Sequence, residues 1–314
     1  MKILLLGASG FLGRNLLLGA PDNWETIAVY RSDETFPGFL RERGLQNVTP
    51  LRCTDDGTWF DELREAVGGS VDACVVAWGN SDIALSVENP LDDLSANVVT
   101  LLHLLASVEM GRMVFVSSGS VYLGNEGLVS ESAPTNPTVP YGVSKLASEL
   151  YIQSHAEHRQ PNMNFVIARF FGAFGPYERP RKIYTKLVQS FAFNHERTFT
   201  VRGDGTNLID AMVVSDAVAG LIRMVEAPVK NVIVNFAAGD PCSISDLIYR
   251  AASVLGIEDV QVIHEGVTKE PISFVADTTR MKQLFDFEPQ ASFEDGILAL
   301  RDHLETYGVP EVKE

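Results

Sequence analysis

Basic residues are scarce in this chain of 314 residues, which has 25 lysines and arginines against 41 aspartates and glutamates. The net charge of −16 argues against nucleic acid or an anionic membrane surface as a partner, because both require a basic face. An anionic small molecule would need a local basic pocket. The chain also lacks any run of about eighteen apolar residues, so no membrane span is expected.

Cysteine is rare as well, and its three positions show no paired spacing. Cys53, Cys74 and Cys242 fit a reducing compartment and indicate neither a disulfide framework nor a zinc site. The six histidines show no metal-ligand spacing, so no metal is predicted. Glycines and Arg14 interrupt the apolar start of the chain, unlike the core of a signal peptide. The sequence therefore predicts a cytoplasmic protein.

A glycine-rich turn follows the first apolar segment. Residues 2–6 have the pattern of a buried parallel strand, and GASGFLG leads from it into an apolar helix over residues 11–18. Glycine lets the backbone approach a pyrophosphate, and the free amides of a helix N-terminus donate to it. The spacing is one residue wider than the common GxGxxG form, and a tight turn without a ligand is the alternative. The pattern predicts a dinucleotide held by Gly7, Ser9, Gly10, Phe11, Leu12 and Gly13.

The residues after the second predicted strand, 26–30, indicate which dinucleotide binds. Arg31 and Ser32 stand where an acidic residue would bind the adenosine ribose of NAD. An arginine can pair with the 2′-phosphate of NADP, so NADP is favoured. Asp33 or Glu34 could still reach a ribose, which leaves NAD open.

Further strands are predicted at residues 71–77, 113–117, 164–170 and 232–237, separated by helices such as 91–108 and 144–156. Alternating strands and helices predict an α/β fold with a doubly wound parallel sheet. Residues 1–170 together with 210–238 are expected to form a dinucleotide-binding domain, and residues 171–209 with 239–314 a smaller substrate-binding lobe. The helix over 91–108 has more apolar residues than one buried face requires, which favours a homodimer; a fully buried helix is the alternative.

A tyrosine and a lysine four residues apart occur in PYGVSKLASE. Tyr141 and Lys145 would share one face of a helix. A buried ammonium lowers the pKa of a nearby phenol from its ordinary value of about 10, so the pair suits proton exchange with a hydroxyl or carbonyl. The same spacing also arises by chance, so the pair gains weight only from the motifs around it.

With GASGFLG, VFVSSGSVY and YGVSK in this order, the chain resembles the extended short-chain dehydrogenase/reductase family, which contains nucleotide-sugar epimerases, dehydratases and reductases. The similarity continues through RFFGAFGP, GDGTNLIDAMVVSDAV and VADTTRMKQLFDFEP. It implies a Rossmann-type sheet, with Tyr141 as general acid/base, Lys145 on the nicotinamide ribose and Ser118 on the reacting oxygen. Ser120 is an alternative to Ser118, because strand alternation would place both on one face. The resemblance also implies cofactor contacts from Ala77, Trp78, Gly79, Asn97, Ser117, Tyr141, Lys145 and Phe171.

The same resemblance bears on the reaction. Gly119 and Ser120 replace the Asp-Glu pair that follows the active serine or threonine of the family's dehydratases, so elimination is not expected. Epimerases of the group mostly keep a bound NAD, whereas net reductases more often use NADPH. Arg31 therefore favours a reductase of a nucleotide-linked 4-keto sugar. The alternatives are an NAD-dependent nucleotide-sugar epimerase, a dehydrogenase of a non-nucleotide sugar, lactone or polyol, and a non-catalytic dinucleotide sensor.

Two of the three residues that the family uses to hold a substrate diphosphate are replaced. Gly172 stands in the place of an asparagine and Ile209 in the place of an arginine, while Lys269 stands in the place of a second arginine. The basic segment PYERPRKIYTK could supply the missing contacts, although a solvated helix face is the alternative. The predicted substrate contacts are Ser120, Gly172, Arg179, Arg181, Lys182 and Lys269.

Overall fold

Seven parallel strands form the central sheet in a computed structural model that describes residues 1–54, 59–267 and 272–309. In chain order they are β1 (Lys2–Leu6), β2 (Glu25–Tyr30), β3 (Val48–Arg52), β4 (Ser70–Val76), β5 (Glu109–Val116), β6 (Asn164–Phe170) and β7 (Val232–Phe236). Across the sheet the order is β7-β6-β5-β4-β1-β2-β3, and every neighbouring pair is parallel. The predicted doubly wound parallel sheet is confirmed. Its direction of winding reverses between β1 and β4, which opens a crevice at the carboxyl ends of these strands.

The described part of the chain contains twelve α-helices. The first six are α1 (Phe11–Gly19), α2 (Phe36–Glu42), α3 (Trp59–Val67), α4 (Ile83–Glu88), α5 (Pro90–Leu94) and α6 (Thr100–Ser107). They are followed by α7 (Pro140–His158), α8 (Ile183–Val188), α9 (Val214–Glu226), α10 (Ile244–Val254), α11 (Thr279–Phe285) and α12 (Phe293–Tyr307). A π-helical turn, Ser95–Val99, joins α5 to α6, and another, Gln189–Phe193, extends α8.

Short strand pairs lie outside the central sheet. Three of them are parallel: Glu126–Val129 with Ser273–Ala276, Thr198–Arg202 with Gln261–Glu265, and Ala173–Phe174 with Met212–Val213. Leu208–Ile209 pairs with Cys242–Ser243 in the antiparallel sense. The first of these pairs joins the segment after β5 to the C-terminal part of the chain, and the other three lie within residues 173–265.

Apolar side chains cover both faces of the sheet. Along β1, Ile3 and Leu5 belong to one core cluster, while Leu4 and Leu6 belong to the cluster on the opposite face. A strand buried on both faces needs apolar residues at every position. This requirement explains why the strands buried on both faces were recognisable as continuous apolar runs, whereas the largely exposed edge strand β3 was not predicted.

A third apolar cluster lies away from the sheet. Phe174, Leu187 and Leu300 belong to it and are almost fully buried. The C-terminal part of the chain contributes to this cluster through Leu300 and to a core of the central sheet through Met281 and Phe285 of α11. The division into a dinucleotide-binding domain and a substrate-binding lobe at the stated boundaries stays a prediction.

Two neighbouring helical segments leave apolar side chains on the surface. The helix predicted over 91–108 is observed as the continuous segment 90–107, with Leu104 buried but Leu91 78% exposed and Leu94 45% exposed. Helix α7, which packs beside it, exposes 60% of Leu150. The alternative of a fully buried helix is therefore wrong for the single chain. The homodimer stays a prediction, which sedimentation velocity of the full chain would test.

Neither a membrane-spanning helix nor a metal-binding cluster is found in the described part of the chain. None of its helices combines the length and apolar character needed to cross a bilayer. None of its groups of histidine, cysteine, aspartate and glutamate is arranged to hold a metal ion. The cytoplasmic location stays a prediction.

Candidate functional site

The glycine turn joins β1 to α1 where the strand order reverses. Gly7 has φ of 85°, a conformation that favours glycine, and a Cβ there would lie 2.7 Å from the carbonyl oxygen of Ala77. A Cβ on Gly13 would overlap the carbonyl oxygen of Gly7. Ser9 lies half-buried within the turn. Gly7 and Gly13 are thus required for close packing of the strand end, the turn and the helix.

The N-terminus of α1 fits the phosphates of a dinucleotide. Gly10 precedes the helix in an extended conformation, and a Cβ there would contact only the carbonyl oxygen of Gly7, at 3.2 Å. The first amides of a helix, here those of Phe11 and Leu12, have no acceptor within it, and the helix dipole favours an anion at this end. The predicted role of this turn is consistent with its geometry.

At the carboxyl end of β2, Arg31 and Ser32 are exposed. The Arg31 guanidinium lies 6.0 Å from the ring centroid of Trp78 and makes no ion pair with the described residues. Asp33, the acidic residue that could reach a ribose, forms an ion pair of 2.6 Å with Arg14. This end of the crevice therefore presents a cation that is not neutralised.

Tyr141, Lys145 and Ser118 converge beside the crevice. Tyr141 and Lys145 lie one turn apart at the start of α7, both are buried, and Ser118 hydrogen-bonds Tyr141. The Ser118 hydroxyl also accepts a hydrogen bond of 3.1 Å from the Ser120 amide, which caps a short 3₁₀ helix. The expectation that strand alternation places Ser118 and Ser120 on one face is wrong, because β5 ends before them and the chain turns. Ser118 is the serine that contacts the tyrosine.

The proton affinities of the pair differ from the sequence-based expectation. Burial raises the pKa of Tyr141, the hydrogen bond with Ser118 opposes this, and the charge of Asp93 adds to it. Burial also lowers the pKa of Lys145 to about 8. Lys145 Nζ donates to the carbonyl oxygen of Val116 at 3.0 Å and lies 6.0 Å from the Tyr141 ring centroid. The expected lowering of the Tyr141 pKa by Lys145 is not found in the protein by itself, because desolvation of the phenol has the largest effect and Lys145 is not among the groups that shift this pKa.

A buried polar network lies beneath the pair. Asn97 Nδ2 donates to Asp93 Oδ1 at 3.0 Å and to Ser144 Oγ at 2.9 Å. Asn97 Oδ1 is buried without a hydrogen-bond partner in the described structure, and a Cβ on Gly79 would overlap it. The same Cβ would lie 3.8 Å from Lys145 Nζ. Gly79 and Asn97, both predicted cofactor contacts, are therefore brought together, and the amide oxygen is a buried acceptor without a donor among the described residues.

Ser117 takes part in a second buried network, which the sequence did not predict. Its hydroxyl donates to Glu149 Oε1 at 2.5 Å, and Glu149 forms an ion pair of 2.8 Å with Arg169. The side chains of Arg169 and Glu149 are 5% and 1% exposed. Arg169 also donates to the Tyr122 hydroxyl at 2.8 Å. The one available signal was that Glu149 lies four residues after Lys145 and thus on the same helix face.

The other predicted cofactor contacts border the crevice in different ways. The Ala77 amide donates to the last residue of β1 at 3.1 Å, and Trp78 is half-buried with its ring stacked on Trp59 at 6.2 Å. Phe171 packs in an aromatic cluster beside the 3₁₀ helix, Gly119–Tyr122.

Gly172, a predicted substrate contact, has φ of 128°, so an asparagine in its place would be strained. The backbone conformation at position 172 therefore explains why a glycine occupies it.

The basic segment lies close to the start of α4. Arg181 forms an ion pair of 3.1 Å with Asp82, which begins α4 after the carboxyl end of β4. Burial lowers the pKa of Arg179, the nearby charges of Arg181 and Arg31 lower it further, and the charge of Asp82 raises it. This segment therefore adds positive charge near the same end of the crevice as Arg31.

The remaining predicted substrate contacts are less closely grouped. Lys182 directly precedes α8 without capping it through its side chain, and its charge lowers the pKa of Glu178 against the larger effect of burial. Glu178 accepts hydrogen bonds of 2.9 and 2.8 Å from the amide and hydroxyl of Thr185, and burial raises its pKa to about 7. Ser120 is half-buried in the 3₁₀ helix. Lys269 lies outside the described residues.

Comparison with known proteins gives consistent matches. The model of the "NAD dependent epimerase/dehydratase family" matches residues 3–237. The "uncharacterized UDP-glucose epimerase YtcB" of Bacillus subtilis is 27% identical over 307 residues, covering 95% of this chain and 96% of the relative. UDP-glucuronic acid 4-epimerase from Bacillus cereus, solved with UDP-glucuronic acid and NAD, has a TM-score of 0.86 and 22% identity, covering 98% of this chain and 99% of that chain. RMD from Pseudomonas aeruginosa, complexed with NADPH, has a TM-score of 0.79 and 19% identity over 97% and 99% of the two chains. These two structures share the fold.

Proposed function

The chain belongs to the NAD dependent epimerase/dehydratase family, and from this premise we propose that it epimerises a nucleotide-linked sugar with the help of NAD. The observation that carries the proposal is the buried Tyr141 beside Ser118 and Lys145, next to a glycine turn that fits a dinucleotide. The relative named as a UDP-glucose epimerase, which matches nearly end to end, supports a nucleotide-sugar substrate.

Epimerisation was the alternative in the sequence-based prediction, and the comparisons favour it over net reduction. One relative is named as an epimerase, and one structural neighbour is an epimerase in complex with a UDP-sugar and NAD. Gly119 and Ser120 carry no carboxyl group, so elimination of a hydroxyl is not proposed. An epimerase returns its cofactor to the starting redox state and needs no external reductant.

The glycine turn and Lys145, the latter through the nicotinamide ribose, would hold NAD, which would supply a reversible hydride acceptor; return of the hydride to the opposite face of the same sugar carbon would invert it. Tyr141 takes the proton of the hydroxyl on that carbon and later gives it back to the keto oxygen. The phenolate accepts this proton and the phenol donates it. Burial raises the pKa of Tyr141 in the protein by itself, and the positive charge of a bound nicotinamide would oppose this and favour the phenolate. The Ser118 hydroxyl holds the same oxygen in place.

A proton NMR assay tests this function. The full chain is incubated with NAD and, in separate samples, with UDP-glucose and UDP-glucuronic acid. The 4-epimer of at least one sugar is expected to appear and to reach equilibrium without accumulation of NADH. Steady formation of NADH, or unchanged sugars in both samples, would count against the proposal.

A second candidate, an NADPH-dependent reductase, is favoured by the un-neutralised Arg31 with Arg179 nearby and by the neighbour that holds NADPH. It predicts in calorimetric titration that NADPH binds more tightly than NADH. It also predicts that Arg31→Ser weakens NADPH binding about tenfold, the equivalent of 1.4 kcal/mol, without affecting NADH. Arg41→Ser, which removes an exposed arginine of α2, is the control. Equal or weaker binding of NADPH to the unaltered protein would exclude this candidate.

A further inference from the structure

Asp93 is a buried carboxylate whose charge is not neutralised by direct contacts. The residue is 2% exposed, and its Oδ1 accepts hydrogen bonds from Asn80 Nδ2 at 2.8 Å and Asn97 Nδ2 at 3.0 Å. Its Oδ2 is buried and has no hydrogen-bond partner in the described part of the chain. Both donors are neutral amides, and the ion pairs of the described residues do not include Asp93. A buried charge in this situation is costly unless an opposite charge lies nearby.

Lys145 is the buried cation that meets this need. Lys145 is 5% exposed. Its ammonium donates to the carbonyl oxygen of Val116 and takes part in no ion pair of the described residues. Asn97 places Asp93 close to it: Asn97 Nδ2 donates to Asp93 Oδ1 at 3.0 Å, and a Cβ on Gly79 would overlap Asn97 Oδ1 and lie 3.8 Å from Lys145 Nζ. Asp93 raises the Lys145 pKa more strongly than Glu149 does. The charge of Glu149 is already matched by Arg169 at 2.8 Å. Asp93 and Lys145 are thus the two uncompensated charges of this buried region.

The remaining groups around the lysine do not change this balance. Phe115 presents its ring 4.9 Å from Lys145 Nζ and carries no charge. Tyr141 lies on the same helix, and burial raises its pKa, opposed by the hydrogen bond with Ser118. Burial raises the pKa of Tyr122 to about 12, so that this phenol is neutral as well.

We propose that Asp93 is the counter-charge of Lys145, a positioning residue that keeps the lysine protonated inside the crevice. Opposite charges attract strongly in a protein interior, even without direct contact, because the effective dielectric constant is far below that of water. The consequence for catalysis rests on the proposed function, in which Lys145 holds the nicotinamide ribose. The coupling of the two charges is a property of the protein alone.

Asp93 is also joined to the turn of α7 that carries Tyr141. Asn97 Nδ2 is shared between Asp93 Oδ1 and Ser144 Oγ, and the Ser144 hydroxyl donates to the carbonyl oxygen of Tyr141 at 3.0 Å. Burial and, less strongly, the charge of Asp93 raise the pKa of Tyr141. Asp93 therefore favours the cationic lysine and the neutral phenol, the combination that donates a proton to a keto oxygen.

The experiment is an NMR titration of Lys145 in the full chain, labelled with ¹³C in its lysines, without cofactor or substrate. Lys145→Arg identifies the signal. Since Asp93 raises the Lys145 pKa against the larger effect of burial, Asp93→Asn is expected to lower that pKa further, by about one unit. Asp92→Asn removes the same charge from an exposed neighbour in the same helix and is expected to leave the pKa unchanged. The pH above which the protein loses affinity for NAD should move down by the same amount in Asp93→Asn only.

A Lys145 pKa in Asp93→Asn equal to that of the unaltered protein would overturn the proposal. Asp93→Glu keeps the charge and should titrate like the unaltered protein; a fall as large as that in Asp93→Asn would show a packing effect and would also overturn it. If Asp93→Asn does not fold, the smaller Asp93→Ser takes its place with the same expected shift. Because the titration uses neither cofactor nor sugar, its result does not depend on finding epimerase activity.

Discussion

Tyr141→Phe is expected to reduce epimerase turnover by about 10²–10⁴-fold, the range that a positioned general acid or base contributes. The variant keeps the buried ring and loses only the hydroxyl that Ser118 hydrogen-bonds. Cofactor affinity should stay close to that of the unaltered protein, because Lys145 and the glycine turn are unchanged. Turnover is measured by proton NMR and NAD affinity by calorimetry.

Tyr151→Phe is the matched control for this change. Tyr151 lies in the same helix, α7, with 47% of its surface exposed, and it should tolerate the loss of its hydroxyl. Activity of Tyr141→Phe equal to that of Tyr151→Phe would refute the proton transfer through Tyr141. Loss of NAD binding together with activity would instead indicate damage to the crevice.

Arg169→Met is expected to lower the free energy of unfolding by about 3–5 kcal/mol, because it leaves the buried carboxylate of Glu149 without its cation. Arg169 donates to Glu149 at 2.8 Å, to the Tyr122 hydroxyl at 2.8 Å and to the carbonyl oxygen of Glu131 at 3.2 Å. Glu149 in turn holds the hydroxyl of Ser117 at the end of β5. Urea-induced unfolding near neutral pH measures the change.

Lys282→Met provides the comparison, since it breaks an exposed ion pair with Glu288 whose side chains are 61% and 56% exposed. Its expected cost is about 0–1 kcal/mol, as for other surface pairs. Adding Glu149→Leu to Arg169→Met should recover part of the lost stability, because it removes the uncompensated charge. Similar small effects of Arg169→Met and Lys282→Met would show that the buried pair does not stabilise the fold as described.

The central sheet was predictable where its strands are buried on both faces, and its largely exposed edge strand β3 was missed. The strand predicted over 71–77 is observed as Ser70–Val76, and that over 164–170 as Asn164–Phe170. The strand predicted over 113–117 begins four residues earlier, at Glu109. Its polar start was not recognised, because Arg112 lies at the sheet end with its guanidinium bound to the carbonyl oxygens of Met224 and Val229, at 2.7 and 2.8 Å. Such a contact between distant segments leaves no local pattern.

The candidate site was predictable only where its residues share one element. Tyr141 and Lys145 were recognised by their helical spacing, and the glycine turn by its place between a strand and a helix. Asp93 was missed, because an acidic residue near the start of a helix is typical of a solvated position. Its burial depends on Asn80, 13 residues away along the chain, and on packing against α7. The pairing of Glu149 with Arg169, 20 residues apart, was missed for the same reason.

The most direct measurement follows a deuterium label at C4 of the sugar nucleotide that the NMR assay identifies as the substrate. Oxidation and re-reduction of that carbon in the crevice of Tyr141 predict that the label stays at C4 in both epimers through many turnovers in ordinary water. Replacement of the deuterium by solvent hydrogen during epimerisation would contradict this, because it would mean that the carbon loses a proton to solvent instead of exchanging a hydride with NAD.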